Sequence, residues 1–297
     1  MTKSPIVVAE VGCNHKGDMG IAKELIRIAK VYAEADYIKF QKRNNRELLT
    51  PEQYDTPHPV PGNSYGATYG LHREALEFTL DQQRELMDYC GNIGIGYSCS
   101  VWDVTSAKEI ASLNPDYIKV PSASNLHWEM QKVLCDEFGG GVHVSLGMTT
   151  QAEEEEIVSF YEKAGRAKDL VLYACTSGYP VAFNDLCLLE IKRIRERFAD
   201  RVGAIAFSGH HLGIAADMAA LTLGAEWIER HYTLDRTWKG TDHAASLEPD
   251  GLRRLVRDAR AVAKALTYKQ SELLEVEVGM REKLKWRAED HVAAASH

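Results

Sequence analysis

Several features that would place this chain in a common class are missing from its sequence. It has no basic stripe, because 35 Lys and Arg are scattered among 43 Asp and Glu and the formal net charge is −8. Nucleic acid therefore has no surface to bind. The N-terminus is too weakly apolar for a signal peptide, and no segment approaches the roughly 18 apolar residues of a membrane span. We therefore predict a soluble, cytoplasmic protein that binds neither nucleic acid nor membrane.

The six cysteines include no close pair of the kind that forms zinc knuckles or redox dithiols. Their irregular spacing in a chain of 297 residues predicts reduced thiols instead of a disulfide framework. The sequence also lacks the glycine-rich phosphate fingerprint of an open doubly wound sheet, which is the main competing architecture.

The sequence does contain a regular alternation of short β-branched or aromatic runs with longer stretches of helical period. Eight runs predict strands, at residues 6–12, 37–42, 94–100, 117–122, 142–147, 170–176, 204–210 and 227–233. Eight strand-and-helix units in about 265 residues match a (β/α)8 barrel, which typically needs about 250. The predicted fold class is α/β, a TIM barrel over residues 1–285 with a short tail at 286–297.

One connection, residues 43–78, is much longer than the others and carries four of the nine prolines. Long loops in compact domains are usually functional lids or disordered segments. Because this loop follows the second strand, we expect it to lie over the active end of the barrel.

Polar side chains recur at the carboxyl ends of all eight predicted strands. In a barrel these ends build the active site, and recurrence at one end favours a shared site over chance. The residues are Glu10, Lys39, Gln41, Ser100, Lys119, Ser122, Ser145, Ser177, Ser208, His210 and His231.

His210 and His231 end strands seven and eight. Neighbouring strands lie about 4.8 Å apart, so two imidazoles at these positions can reach one cation. A structural role for both histidines is equally compatible with the sequence. Asp242 could complete or orient a metal site, and His211 or His243 could replace either ligand.

Lys39 and Lys119 each interrupt an otherwise apolar strand, which is costly unless an anion pairs with the lysine. Glu10 is the only acid in the first strand, and an ion pair with it is the structural alternative. Two lysines against one carboxylate leave positive charge over, which predicts a phosphate or carboxylate ligand held with serine hydroxyls. Glu10 is then either a base or a salt-bridge partner.

A set of ordered motifs resembles the N-acylneuraminate (sialic acid) synthase family over about residues 6–284. The motifs are AEVGCNHKGD at 9–18, IKFQ at 38–41, TYGLHREALEF at 68–78, YIKVPSASN at 117–125, SLGM at 145–148, ACTSGYP at 174–180, FSGHHLG at 207–213 and GAEWIERHYTLDRTWKGTDHAASLEP at 224–249. The forms SGH, ERH and TWKGTDH are most similar to the animal-type branch, whose acceptor is typically a 6-phosphorylated mannosamine.

The resemblance implies a metal-dependent condensation of phosphoenolpyruvate with N-acetylmannosamine or a related aldose, free or 6-phosphorylated. The products would be a sialic-acid-like nonulosonate and phosphate. The matched metal ligands are His210 and His231, with manganese or magnesium as the usual ion. The matched catalytic positions are Glu10, Lys39, Lys119 and Asp242. Substrate-binding positions are matched by Gln41, Ser100, Ser122, Ser145, Ser177, Tyr179 and Ser208.

The chain departs from the family pattern in two places. Ser124 stands where the family commonly has an acid, which predicts a changed contact with the acceptor sugar. Family members also commonly carry a C-terminal antifreeze-like domain that reaches the partner subunit's site, and we expect this chain to lack it. The family implies a homodimer. Two alternatives stay open, a non-catalytic sugar-phosphate-binding protein and a related synthase that makes a different 2-keto-3-deoxy acid.

Overall fold

A computed structural model describes residues 4–287, in which eight parallel strands close into one barrel. Each strand pairs with the next in sequence, and the last strand pairs with the first. The strands are β1 Ile6–Gly12, β2 Tyr37–Lys42, β3 Gly96–Val101, β4 Tyr117–Val120, β5 Gly141–Ser145, β6 Leu170–Cys175, β7 Ala204–Gly209 and β8 Trp227–His231. The predicted (β/α)8 fold is confirmed, and each strand boundary agrees with the prediction to within two residues.

Helices follow the strands, and most of them pack on the outside of the barrel. They are α1 Met19–Val31, α2 Asn45–Leu48, α3 Pro51–Asp55, α4 Tyr69–Glu74, α5 Leu80–Ile93, α6 Val104–Leu113, α7 Trp128–Glu137, α8 Gln151–Lys163, α9 Leu189–Phe198, α10 Ala215–Thr222, α11 Pro249–Ala265 and α12 Glu275–Leu284. Leu25 and Ile26 of α1 are fully buried against the barrel wall. Among residues 4–287, none of the helices combines the length and apolar character needed to cross a bilayer.

The C-terminal part of the chain departs from a plain tail. Helix α12 lies between the barrel and the predicted tail, and none of its side chains is buried. Of the predicted tail at 286–297, residues 288–297 lie outside the described residues.

Residues 43–78, which we call the covering segment, contain the three short helices α2, α3 and α4. Thr50 and Gln53 form a capping box that starts α3. The hydroxyl of Tyr65 donates to the carbonyl oxygen of Lys239 at 2.5 Å. This bond joins the covering segment to the loop that follows β8, so the segment reaches over the barrel mouth.

Two layers of different chemistry fill the inside of the barrel. Near the amino ends of the strands, the rings of Tyr117 and His143 stack with centroids 3.8 Å apart, and Trp227 meets His143 edge-on at 4.7 Å. Nearer the carboxyl ends the interior is charged. The ammonium of Lys119 lies 3.6 Å from the centroid of the Tyr173 ring, where the two layers meet. The aromatic layer closes one end of the barrel and supports the charged layer above it.

Candidate active site

A cavity of about 820 Å³ lies at the carboxyl ends of the strands. Every residue predicted for the site from the sequence lines it, whereas their individual roles stay predictions. The thirteen residues are Glu10, Lys39, Gln41, Ser100, Lys119, Ser122, Ser145, Ser177, Tyr179, Ser208, His210, His231 and Asp242.

Four buried charged side chains form the bottom of this cavity, and we call Glu10, Lys39, Lys119 and Glu229 the charged floor. None is more than 5% exposed. The ammonium of Lys39 contacts the Glu10 carboxylate and lies 3.8 Å from Glu229 Oε2. Lys119 Nζ donates to both oxygens of Glu229, at 2.9 and 3.0 Å. Two ammonium groups therefore face two carboxylates.

The predicted surplus of positive charge is wrong, because Glu229 adds a second carboxylate to the floor. Sequence reasoning missed this residue although a signal was present. Side chains two residues apart in a strand point to the same face, so Glu229 had to share the barrel interior with His231.

Burial and ion pairing move the pKa values of the two floor carboxyl groups in opposite directions. Burial raises the pKa of Glu10 and outweighs the opposing effect of Lys39. Burial acts in the same direction on Glu229, but Lys119 and Lys39 together lower its pKa to about 2. Two carboxyl groups separated in this way suit different roles. Glu10 can exchange a proton, while Glu229 stays ionised.

Hydroxyl groups surround the charged floor and already take part in its hydrogen bonds. Ser100 Oγ accepts from Lys39 Nζ at 2.6 Å, and Ser208 Oγ donates to Glu229 Oε1 at 3.0 Å. Ser122 Oγ accepts from the backbone N–H of Gly147 at 3.1 Å. Ammonium, hydroxyl and backbone N–H groups are the donors that hold phosphate and carboxylate oxygens.

His210 and His231 lie side by side at the mouth, with ring centroids 5.3 Å apart. His210 Nδ1 lies 3.0 Å from the carbonyl oxygen of Thr176, which makes Nδ1 the donor and leaves Nε2 as an acceptor. Burial, together with the neighbouring His231, lowers the pKa of His210 to about 3. The ring is therefore neutral at physiological pH, which is the form that binds a metal.

The residues present fit a divalent metal at this pair. The buried Nδ1 of His231 has no hydrogen-bond partner among the described residues. A Cβ atom built on Gly12 would lie 3.3 Å from His231 Cε1 and 3.4 Å from Asp242 Oδ2, so the imidazole and the carboxylate lie close together beside the Gly12 backbone. In residues 4–287, no three His, Cys, Asp or Glu side chains form a metal-binding group. Water or substrate would therefore supply the remaining ligands.

Gly12 allows this close approach because it has no side chain. Its φ of +56° lies in the left-handed region that favours glycine. A Cβ there would also approach Gln41 Nε2 to 2.8 Å.

The other two histidines considered as ligands do not line the cavity. His243 Nδ1 lies 2.7 Å from Thr233 Oγ1. His211 is fully buried in the barrel wall, where its Nε2 lies 3.1 Å from Arg230 Nη1. Arg230 Nη1 also donates to Asp217 Oδ2 at 2.5 Å. We call His211, Asp217 and Arg230 the outer cluster.

One residue near the cavity departs from the family pattern. The half-exposed Tyr179 lies beside the histidine pair, with its ring centroid 4.3 Å from that of His210. Ser124, at the position of the family's acid, donates to the carbonyl oxygen of Trp102 at 3.0 Å. It does not line the cavity.

Sequence reasoning also missed the contribution of the covering segment. Its residues on the cavity wall are Arg43, His58, Asn63, Tyr69, His72, Arg73 and Leu76. Several belong to the motif TYGLHREALEF at 68–78. The resemblance therefore already indicated that this motif contributes to the site, although none of its residues was predicted there.

This chain is similar to known proteins in both sequence and fold. Residues 25–271 match the NeuB family. The human N-acetylneuraminate-9-phosphate synthase is 36% identical over 278 residues, which cover 94% of this chain and 76% of that protein. The N,N'-diacetyllegionaminic acid synthase of Campylobacter jejuni is 30% identical, with 89% and 78% covered. The solved N-acetylneuraminic acid (sialic acid) synthetase of Leptospira borgpetersenii aligns with a TM-score of 0.79 at 26% identity, over 96% and 94% of the two chains.

Proposed function

This chain belongs to the NeuB family, and on that basis we propose that it condenses phosphoenolpyruvate with N-acetylmannosamine or a related aldose. The products are a sialic-acid-like nonulosonate and phosphate. The observation that carries the proposal is the position of the charged floor beside the His210 and His231 pair in one cavity. The floor suits an anionic donor, and the histidine pair suits a carbonyl acceptor.

The reaction forms a bond between C3 of the enol and the aldehyde carbon of the acceptor. The aldehyde oxygen takes up a proton and becomes a hydroxyl. Water adds at C2, the C–O bond to phosphate breaks, and phosphate leaves with the bonding electrons as C2 becomes a ketone. One water is consumed for each phosphate released.

The charged floor contains as many carboxylates as ammonium groups. It would therefore hold the donor through the fixed orientation of its two lysines and not through an excess of positive charge. Glu10 and Glu229 fix the two lysines in place before substrate arrives, and preorganised donors of this kind stabilise developing negative charge. Further hydrogen bonds to the donor would come from Ser100, Ser122, Ser145 and Ser208. Glu10, with its raised pKa, would position the attacking water or relay the acceptor's proton.

We propose that His210 and His231 are the protein ligands of a divalent metal. When bound, the ion would polarise the acceptor carbonyl as a Lewis acid. The two candidates are manganese and magnesium, and imidazole nitrogens suit a transition metal better than magnesium, so manganese is the first choice. Manganese binding followed by electron paramagnetic resonance should weaken in His231→Ala, whatever the activity of that variant.

The decisive experiment incubates the protein with phosphoenolpyruvate, manganese and a panel of aldoses, free and 6-phosphorylated. We expect phosphate release together with a 2-keto-3-deoxy acid whose mass identifies the acceptor. If folded, metal-loaded protein turned over no hexosamine or hexose, the proposal would be wrong. Tight acceptor binding without phosphate release, unchanged by His231→Ala, would indicate a non-catalytic sugar-phosphate-binding protein.

One observation favours a different acceptor within the same reaction class. Ser124 bonds to the backbone of Trp102 instead of facing the cavity, so an acceptor contact found in the family is missing here. A related aldose giving a different 2-keto-3-deoxy acid is therefore the second candidate, and product mass separates the two.

The resemblance implies a homodimer, and the cysteine spacing together with the weakly apolar N-terminus predicts a cytoplasmic location; both stay predictions. Sedimentation velocity at micromolar concentration tests the first. Fractionation of cells that produce the protein tests the second.

A further inference from the structure

Four cationic side chains line the cavity, and three of them have an acidic partner. Lys39 and Lys119 pair within the charged floor. Arg43 Nε lies 2.5 Å from Glu77 Oε1. Arg73 in α4 differs, because its guanidinium has no carboxylate within ion-pair distance among residues 4–287, and Glu77, which pairs with Arg43, acts on it only at longer range.

Two aromatic rings and a second guanidinium lie near the Arg73 side chain. Its guanidinium carbon lies 5.4 Å from the centroid of the Tyr69 ring and 5.7 Å from that of Trp102. The Arg43 guanidinium carbon lies 5.5 Å from the same Trp102 ring, so a second cation is close. A partly buried cation beside another cation is costly unless an anion binds. The arrangement indicates a site for an anionic group of a ligand.

The anionic group could belong to either substrate of the proposed reaction. The location of Arg73 in the cavity distinguishes between them. The donor's predicted contacts lie on the charged floor and its serines, whereas the contacts of Arg73 are in the covering segment and at Trp102. Trp102 follows β3, and the histidine pair lies at β7 and β8, across the barrel mouth. An open-chain aldose with its carbonyl at that pair would have to extend across the mouth for its far end to reach Arg73.

We propose that Arg73 binds a phosphate on the far end of the acceptor and so sets the preference for a phosphorylated over a free aldose. This inference rests on the proposed function. A guanidinium suits the role because its planar fork binds phosphate oxygens in pairs.

The test compares kcat/KM for N-acetylmannosamine 6-phosphate and for free N-acetylmannosamine in Arg73→Gln, Arg73→Lys and Arg46→Gln. Arg46 is a matched control, because it lies in the same segment, pairs with Glu74 and does not line the cavity. Arg73→Gln should lower kcat/KM for the phosphorylated acceptor about 10- to 100-fold, as expected for bonds to a charged group. The free acceptor and the KM for phosphoenolpyruvate should stay within about threefold, and Arg73→Lys should recover part of the loss.

Equal losses for the two acceptors, or a rise confined to the KM for phosphoenolpyruvate, would overturn the assignment while leaving the proposed function intact. If the wild-type protein turned over no acceptor, the proposed function would fail by itself. Calorimetry would still decide the role of Arg73. Weaker binding of N-acetylmannosamine 6-phosphate, but not of the free sugar, to Arg73→Gln would support it, and unchanged binding of both would refute it.

Discussion

Strand β8 carries two buried ionic clusters on its two faces, and they differ in what they can reach. Glu229 points inwards and belongs to the charged floor, while Arg230 points outwards and belongs to the outer cluster. Both clusters are buried and both are charge-balanced, since Arg230 faces Asp217 as Lys119 faces Glu229. Only the floor lines the cavity. Burial and ion pairing therefore do not identify a site by themselves, whereas access to a cavity does.

The outer cluster supports the site from behind. Arg230 donates to the carbonyl oxygens of Gly213 and His211, at 2.8 and 2.5 Å. These bonds tie the loop after β7 to β8, and the tied residues adjoin His210 and His231 in the chain. These bonds hold the backbone behind the histidine pair, so the outer cluster contributes mainly to the stability of this part of the fold.

The largest expected effect is loss of turnover when the floor loses a cation. Lys119→Met removes an ammonium that lines the cavity and leaves Glu229 with one fewer partner. We expect kcat/KM for phosphoenolpyruvate to fall roughly 10²- to 10³-fold, as for loss of one preorganised donor. Steady-state phosphate release measures it. Lys132→Met, which breaks an exposed ion pair with Asp136, is the control. A loss smaller than about threefold would mean that the floor does not bind the donor.

The same kind of change in the outer cluster should affect stability instead. Asp217→Asn leaves the fully buried Arg230 without its carboxylate, and an uncompensated buried charge costs about 3–5 kcal/mol of unfolding free energy. Urea unfolding measures this loss, while kcat of the folded protein should change only a few-fold. Asp258→Asn on the surface should leave the unfolding free energy almost unchanged. A large fall in kcat at wild-type stability would contradict the distinction between the two clusters.

Alanine substitutions at two glycines should have smaller effects, and comparing them separates the cost of backbone strain from the effect of crowding the cavity. Gly12 and Gly94 both have positive φ, at +56° and +76°, so alanine at either position should cost about 1–2 kcal/mol. Only at Gly12 would the added Cβ approach Gln41 and His231, whereas at Gly94 the nearest atom is 4.0 Å away. We expect the acceptor KM to rise about tenfold, or about 1.4 kcal/mol, in Gly12→Ala alone. Equal KM values in both variants would show that the space above Gly12 is not used.

The barrel was predictable because each strand is a compact apolar run with a polar end, and position at a strand end brought His210 and His231 together as expected. The alternation of side chains along β8 also predicts that Glu229 points into the barrel, but Glu229 was not among the predicted site residues. Other features were not readable from the sequence. Helices of four to six residues, such as α2 and α4, are too short to show a helical period, and the pairing of Arg230 with Asp217 depends on how α10 packs against the barrel.

Because β8 is the last strand to be synthesised, its position in the chain bears on how the barrel closes. Lys39 and Lys119 are synthesised well before Glu229, which follows Lys119 by 110 residues. A nascent chain that stops short of β8 has only Glu10 to compensate two interior lysines, and an unpaired ammonium resists removal from water. Closing the barrel before β8 is present would therefore bury an ammonium group without a carboxylate partner, which is unfavourable. The final strand brings the missing carboxylate, Glu229, as it completes the ring.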